Sequence, residues 1–543
     1  MLAGREWITF EWLFQVLCYL AHLAGGALGI TCLKVLTLAA AFLLFFRLAG
    51  GGFWAGIMLS FAALVLRVFF FARPQIFDYL LMGLYLDVLE RSPQRPERSA
   101  FALPLLQVLW VNLHGGAALV GAGIVGLRAL SSRRSAWAWA GLAAACAAAM
   151  LLNPHGLKIF SHTQATLTFP GKEQISEWAP LRSFLSWEGL FLALGAAAIA
   201  ASWKADAYLC LLALVLGVMG VVQNRHMSLA ILAVAPLAAR TLQRLRPVPL
   251  RLRSAVLAVG CMALLSGGFI LSHLSYLTNV GKGLEDLPDR AIQYLDKNGV
   301  EGRMFHSYNM GGYLIWKTWP RRKVFVDGRN VEYGPRFINE AIHWYVPKVW
   351  EQLDAEWKFD YALLSNSPFY RAAVLDASAD WALVFWDDAA LVYLKRTPRN
   401  AALIARDAYR WLKPNQMTFA YLGDYARERR KAEAALAEVD RALASSDLNV
   451  NAVEMRAYLL EGLGRDDEAL RDLESAVERF ALKPGPYISL GMFYEKTGDA
   501  AAARRTYERG IRIAQWAHDL ISLAYLYNNL GVIELKEGDY AKA

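Results

Sequence analysis

Charge is scarce in this chain, and cysteine scarcer. Only 19% of the 543 residues are Asp, Glu, Lys or Arg, against 56% hydrophobic, a balance too apolar for one water-soluble fold. The five cysteines (Cys18, Cys32, Cys146, Cys210, Cys261) all lie in apolar stretches, with no CxxC pair and no histidine at metal-ligand spacing. Neither a disulfide framework nor a structural zinc is indicated. The first residues lack the pattern of a cleaved signal: 11–24 carries Glu11, Gln15 and His22 on an apolar background, and another apolar run follows almost at once. That segment reads as a short helix on a membrane surface. Paired, glycine-broken halves of the kind internal repeats give transporters are also missing.

What is present is unevenly distributed. Apolar runs fall at about 29–46, 53–71, 74–89, 101–127, 136–152, 189–203, 207–222, 227–239 and 254–280, and most of the charge follows them. The last run is preceded by a knot of arginines (Arg240, Arg244, Arg246, Arg251, Arg253) and opens the polar half. A span needs roughly 20 apolar residues, and Lys and Arg collect on its cytoplasmic side. The formal charge of +9 therefore reads as positive-inside loops, and no nucleic-acid partner is expected. Alternation requires 101–127 to enter and return, with His114-Gly115-Gly116 as the break; the alternative is one long span and a reversed topology upstream.

On the first assignment the outward face gathers Glu11, Arg73, Gln75, Asp78, Asn112, His114, Asn153, His155, His162, Glu177, Arg225 and His226, four of the nine histidines among them. Wet loops are polar anyway, and that bland reading stands at even weight for any one residue. Lys34 and Arg67, just inside spans near the same face, tilt the balance toward a site for a lipid phosphate.

After a linker with Gly281 and Gly283, strand-like runs at 303–306, 323–326, 361–364, 381–385 and 390–394, mixed with helical patterns, predict a compact α/β domain over 281–397. Asn309, Asp327 and Arg329 are its candidate ligand-binding residues, being polar positions near strand ends; tight turns with capping side chains explain the same stretches equally well. From 398 the chain repeats. Leu422-Gly423 returns as Leu490-Gly491 and Leu530-Gly531, and Gly464–Ala469 matches Gly498–Ala503 at a separation of 34 residues. This period and its small-residue offsets resemble the tetratricopeptide repeat, an all-α solenoid whose concave face binds peptides or partner proteins.

Residues 4–396 resemble a bacterial family of polytopic membrane proteins related to the C-type (GT-C) glycosyltransferases. The resemblance rests on Gly4-Arg5-Glu6-Trp7, Glu11-Trp12-Leu13, Arg73-Pro74-Gln75, Asn112-Leu113-His114-Gly115-Gly116, Asn153-Pro154-His155-Gly156, Glu177-Trp178, Asn224-Arg225-His226, and 307–313 with Asp327-Gly328-Arg329. It implies a GT-C-like multi-span domain over 1–280, in the bacterial cytoplasmic membrane, with the polar half outside the cytoplasm. It also implies sugar transfer from a polyprenyl-phosphate donor at the outer face. Glu11, His114, His155, Glu177 and His226 are then the catalytic candidates and Arg73 and Arg225 the donor-phosphate ligands, with a divalent metal allowed and no other cofactor expected. Relatives carry a further span and an acidic loop before the segment matched by 4–13, and 538–543 stops halfway through a repeat, so a chain truncated at both ends, its last repeat incomplete, is expected. The alternative function is a membrane-anchored repeat scaffold for envelope proteins, without catalysis.

Overall fold

The computed structural model of the protein describes residues 9–92, 94–132, 134–170, 179–248, 287–366, 372–416, 419–447, 449–517 and 519–538. They fall into two compact units, one up to Val248 and one from Leu287. The last expected span, 254–280, lies outside the described residues.

The first unit is helical: α1 (Trp12–Leu48), α2 (Gly52–Leu66), α3 (Gln75–Arg91), α4 (Leu103–Leu113), α5 (Leu119–Ser131), α6 (Ala136–Ala149), α7 (Lys158–Leu167), α8 (Trp187–Ser202), α9 (Ala207–Val222) and α10 (Met227–Leu245). Residues 227–239 are apolar all round apart from Ser228, and a helix of that kind belongs in the middle of a bundle. Every one of them is buried. α10 packs against α2, α8 and α9 through small residues: a Cβ on Gly195 of α8 would come within 2.8 Å of Val234, and one on Gly220 of α9 within 3.1 Å of Met227. Close helix contact through small side chains is the packing that works without a hydrophobic drive between helices.

α1 is broken where the sequence changes character. Gly25 (φ −161°, ψ 24°) and Gly26 (φ 57°, ψ −139°) leave the helical region, dividing a first segment from the apolar remainder. α1 is the one described helix long and apolar enough to cross a membrane; the other apolar helices, including Gly52–Leu66, Ala136–Ala149, Trp187–Ser202 and Ala207–Val222, have 10–17 residues. At 1.5 Å per residue, 16 residues cover about 24 Å, short of the ~30 Å of a hydrocarbon core. The full set of spans expected from the sequence is thus reduced, among the described residues, to one helix of sufficient length.

The bundle has two distinct polar ends. Asp78 lies in the first turn of α3 and Arg91 in its last, about 20 Å apart by helical rise. Around the second end Arg240 donates to Leu48 O (2.6 Å) and pairs with Asp206 and Glu90 (both 3.0 Å), while Arg47 and Arg91 share Asp87. Three of the arginines that punctuate the sequence, Arg47, Arg91 and Arg240, therefore meet carboxylates there.

The chain also turns back at His114. The Gln107 side chain donates to Ala118 O (2.7 Å), and a Cβ on Gly121 would strike Gln107 and Trp110. A continuous helix would hold residues 107 and 121 about 21 Å apart, so the break expected at His114-Gly115-Gly116 is present.

The second unit contains a four-stranded sheet of β1 (Met304–His306), β2 (Tyr361–Ser365), β3 (Trp381–Trp386) and β4 (Ala390–Lys395), in the order β1-β2-β4-β3. β1 and β2 are parallel and the other pairs antiparallel. Alternating side chains feed two cores. Met304, Leu363 and Leu394 join the helices Asp289–Lys297 and Gly311–Thr318. Phe305, Leu364 and Tyr393 join Trp350 and the first repeat helices, including Leu436 and Met455. A bulge at Leu383–Phe385 changes the alternation, so that Val384 and Phe385 enter one core and Leu383 and Trp386 the other.

The expected strand at 323–326 does not form. In its place the buried His306 side chain accepts from Phe325 N (2.9 Å), doing for that backbone what a ladder would have done. The repeats follow as antiparallel helices, with Val450–Gly462 against Asp466–Arg479 and Gly485–Thr497 against Ala500–Ala517, and Leu520–Lys536 last. Gly491 is required between the second pair, because a Cβ there would lie 2.2 Å from the Tyr507 ring.

Candidate functional site

At the end of the first unit opposite the arginines, the start of α1, the His114 break, α7 and the turn Asn224–His226 enclose a pocket lined by Glu11, Asp78, His114, His162, Arg225 and His226. Gln75, Thr163, Thr166, Gln223 and Ser228 add further polar groups. Four candidates drawn from the sequence (Glu11, His114, Arg225, His226) thus share one cavity although up to 215 positions separate them.

The centre of the site is a chain of hydrogen bonds. Asp78 and His114 are both almost fully buried. The imidazole Nδ1 lies 2.6 Å from Asp78 Oδ2, and its Nε2 lies 2.8 Å from Arg225 Nη2. The Trp110 indole N–H donates to the other Asp78 oxygen at 2.7 Å. A buried carboxylate is costly unless its lone pairs are used, and here both oxygens are engaged. His226, in the turn beside Arg225, has its pKa pushed down to about 4, first by burial and then by the neighbouring guanidinium. It is therefore a neutral imidazole at physiological pH. His162 touches the Phe10 ring (5.1 Å between centroids) and faces the same cavity.

The remaining sequence candidates lie elsewhere. His155 is outside the pocket lining; its Nε2 meets Thr9 O at 3.1 Å and its ring packs on Phe10, so it joins the loop after α6 to the segment before α1. Arg73 is exposed, with its guanidinium 5.3 Å from the Phe71 centroid, and also lies outside the lining. Glu177 lies outside the described residues.

In the second unit Asp327 is buried and accepts from Arg329 through backbone N (3.0 Å) and Nε (2.7 Å), with a further bond to Nη2 and one from Tyr333. Asp327 and Arg329 are thus each other's partners within one turn. Asn309 is exposed on the turn Tyr308–Met310. His306 donates to Ser307 O, and burial lowers its pKa to about 4, which keeps it the neutral acceptor that Phe325 N requires.

Asp78, Trp110 and His162 are the site residues that the candidate set omitted. A carboxylate inside the apolar run 74–89, at the end away from the arginines that follow Asp87, was the available signal for Asp78; nothing in the sequence singles out Trp110.

A second, apolar groove runs between α5 and α9, lined by Leu119, Val120, Leu127, Leu212, Leu216 and Met219. It shares Gly116, Thr163 and His226 with the polar pocket, so the two cavities share walls. No group of three His, Cys, Asp or Glu side chains is placed to hold a metal among the described residues. With Asp78 already committed to His114 and Trp110, this donor set does not fit the divalent ion that the resemblance allows.

Comparison with known proteins bears on the C-terminal part. The family profile of the tetratricopeptide repeat matches residues 485–515, the pair Gly485–Thr497 and Ala500–Ala517. No curated protein matches the chain. The chain therefore carries a tetratricopeptide repeat, a protein-interaction element, at its C-terminal end.

Proposed function

We propose that the first unit is the multi-pass membrane domain of a glycosyltransferase that takes a sugar from a polyprenyl-phosphate donor at the outer face of the cytoplasmic membrane. The observation that carries this reading is the shared wall of a polar pocket that holds the Arg225 guanidinium and an apolar groove. A ligand with a charged head and a long apolar tail fills both, and neither a free sugar phosphate nor a plain hydrocarbon does. Arg225 meets the donor phosphate. The acceptor hydroxyl gives its proton to Glu11 or His162, its oxygen bonds to the anomeric carbon, and the carbon–oxygen bond to phosphate breaks. The released phosphate carries the negative charge that Arg225 stabilises. Arg73, exposed and outside the pocket lining, would assist capture of an anionic lipid as a surface cation and make no contact with the reacting atoms. The repeats hold a protein partner or acceptor.

The experiment is transfer of labelled sugar from a polyprenyl-phosphate donor by the full-length protein in nanodiscs. Arg225→Ala should lower the rate by at least about a hundredfold, as removal of a charge-stabilising donor does. Gly116→Trp should do likewise, by filling the shared wall, where a Cβ meets nothing within 4 Å. Full activity in both variants would reject the assignment.

A scaffold without catalysis is the second reading, favoured by the repeat match. It predicts that residues 398–543, within the full chain, capture an envelope protein equally well whether or not Arg225 is intact.

A further inference from the structure

We infer that Asp78 and His114 act as a positioning pair, fixing one tautomer of the imidazole so that its Nε2 lone pair holds the Arg225 guanidinium at the pocket. The inference rests on the lipid-phosphate reading for its purpose, and on hydrogen-bond geometry for its content.

An arginine has only donors. At 2.8 Å from Arg225 Nη2, His114 Nε2 must therefore be the acceptor. A neutral imidazole carries one N–H, which then sits on Nδ1 and points at the Asp78 carboxylate, 2.6 Å away. Both ring nitrogens are occupied, and His114 is left with no lone pair to accept a proton from a substrate. The proton-transfer role expected for it passes to Glu11 or His162, while its own work is to orient a cation.

Trp110 makes the arrangement one-directional. Its indole N–H can only donate, and it holds Asp78 Oδ1. A carboxylate accepts on both sides; a carboxamide cannot. In Asp78→Asn the amide must either turn its NH2 toward the Trp110 N–H or give it to His114 Nδ1. The first choice sets two donors against each other. The second moves the ring proton to Nε2, where it opposes Arg225. An isosteric, uncharged replacement thus disturbs a guanidinium that it never touches.

The test uses the full-length protein in nanodiscs and a matched pair of probes, farnesyl phosphate and farnesol, which differ only in the phosphate. The ratio of their affinities reads the placement of Arg225, and a general loss of stability does not move that ratio selectively. Glutamine at 114 can present its carbonyl near the Nε2 position, whereas asparagine reaches only the Nδ1 position. His114→Gln should keep the phosphate preference to within about threefold, while His114→Asn and Asp78→Asn should lose about tenfold or more, the worth of a charge-assisted bond. Equal losses in the two His114 variants, or an unchanged ratio in Asp78→Asn, would overturn the inference.

Variants that do not fold leave the wild type to decide. 15N spectra of histidine-labelled protein should show His114 protonated at Nδ1 and bare at Nε2, and the opposite tautomer would sink the proposal. Equal binding of both probes by the wild type would reject the lipid-phosphate reading instead, with the tautomer still deciding the geometry.

Discussion

The polar residues of this protein divide into those whose partners consume them and those left with capacity to act. Asp327 and Arg329 consume each other, His306 is spent on backbone, and Asp78 is fully subscribed. Glu454 is different. Its Oε1 is enclosed without a hydrogen-bond partner, and its pKa is pushed up to about 8, first by desolvation and then by Asp388, against weaker help from Ser489 and Lys483. The folded carboxyl therefore holds a proton that the unfolded chain releases near its ordinary value of 4.5. Between those two values the native state binds more protons, so its contribution is fully present below about 4.5 and is lost as pH rises through about 8. Thermal melts of the full chain from pH 5 to pH 9 should show a stability that falls with pH, and Glu454→Gln should flatten that slope. A slope unchanged in Glu454→Gln would assign it to other groups.

At the level of the element, glycine placement decides most. Gly26 sits at φ 57° and ψ −139° with nothing within 4 Å of an added Cβ. Substitution there meets no steric neighbour, and its cost is all backbone. Gly26→Ala should lower the stability of the detergent-solubilised protein by about 1–3 kcal/mol, whereas Gly116→Ala, also into open space but without a positive φ, should be close to neutral in the same melt. Equal melting of the two variants would mean that the break in α1 relaxes freely. Much of this level was legible beforehand. Among the described residues the apolar runs became helices, four of the five strand-like segments became strands, and the 34-residue period became stacked pairs. The fifth segment, 323–326, has the composition of a strand, but pairing depends on a neighbouring edge, and a histidine side chain occupies the place of that neighbour.

At the scale of the molecule, the α/β sheet and the repeats are built around one apolar core, and the β3–β4 turn is the joint between them. Asp388 accepts from the backbone N–H groups of Val450 (3.0 Å) and Asn451 (3.3 Å), capping the helix Val450–Gly462, and pairs with Lys483 Nζ at 3.0 Å. Glu438 returns the favour from a repeat helix by accepting from Arg410, Trp411 and Leu412. A carboxylate at a helix start is stabilising both as a cap and against the helix dipole. Asp388→Ala should cost about 1–2 kcal/mol, and in limited proteolysis of the full chain the repeats should be digested ahead of the sheet. Unchanged digestion would show that the shared apolar core alone holds them together.

Composition and periodicity alone determined that this chain has an apolar helical half, a small mixed α/β region and a helical repeat array, because those features depend on local pattern. They also separated the arginine-rich ends of helices from the histidine-bearing ones, since charge placement along a helix is a one-dimensional property. Which polar residues meet was decided in three dimensions. Nothing in spacing distinguishes His155, bound to a loop carbonyl, from His114, held between Asp78 and Arg225. That difference comes from chain reversal at His114 and from the burial of Trp110, which together bring a carboxylate, an imidazole and a guanidinium from three separate elements into hydrogen-bonding range.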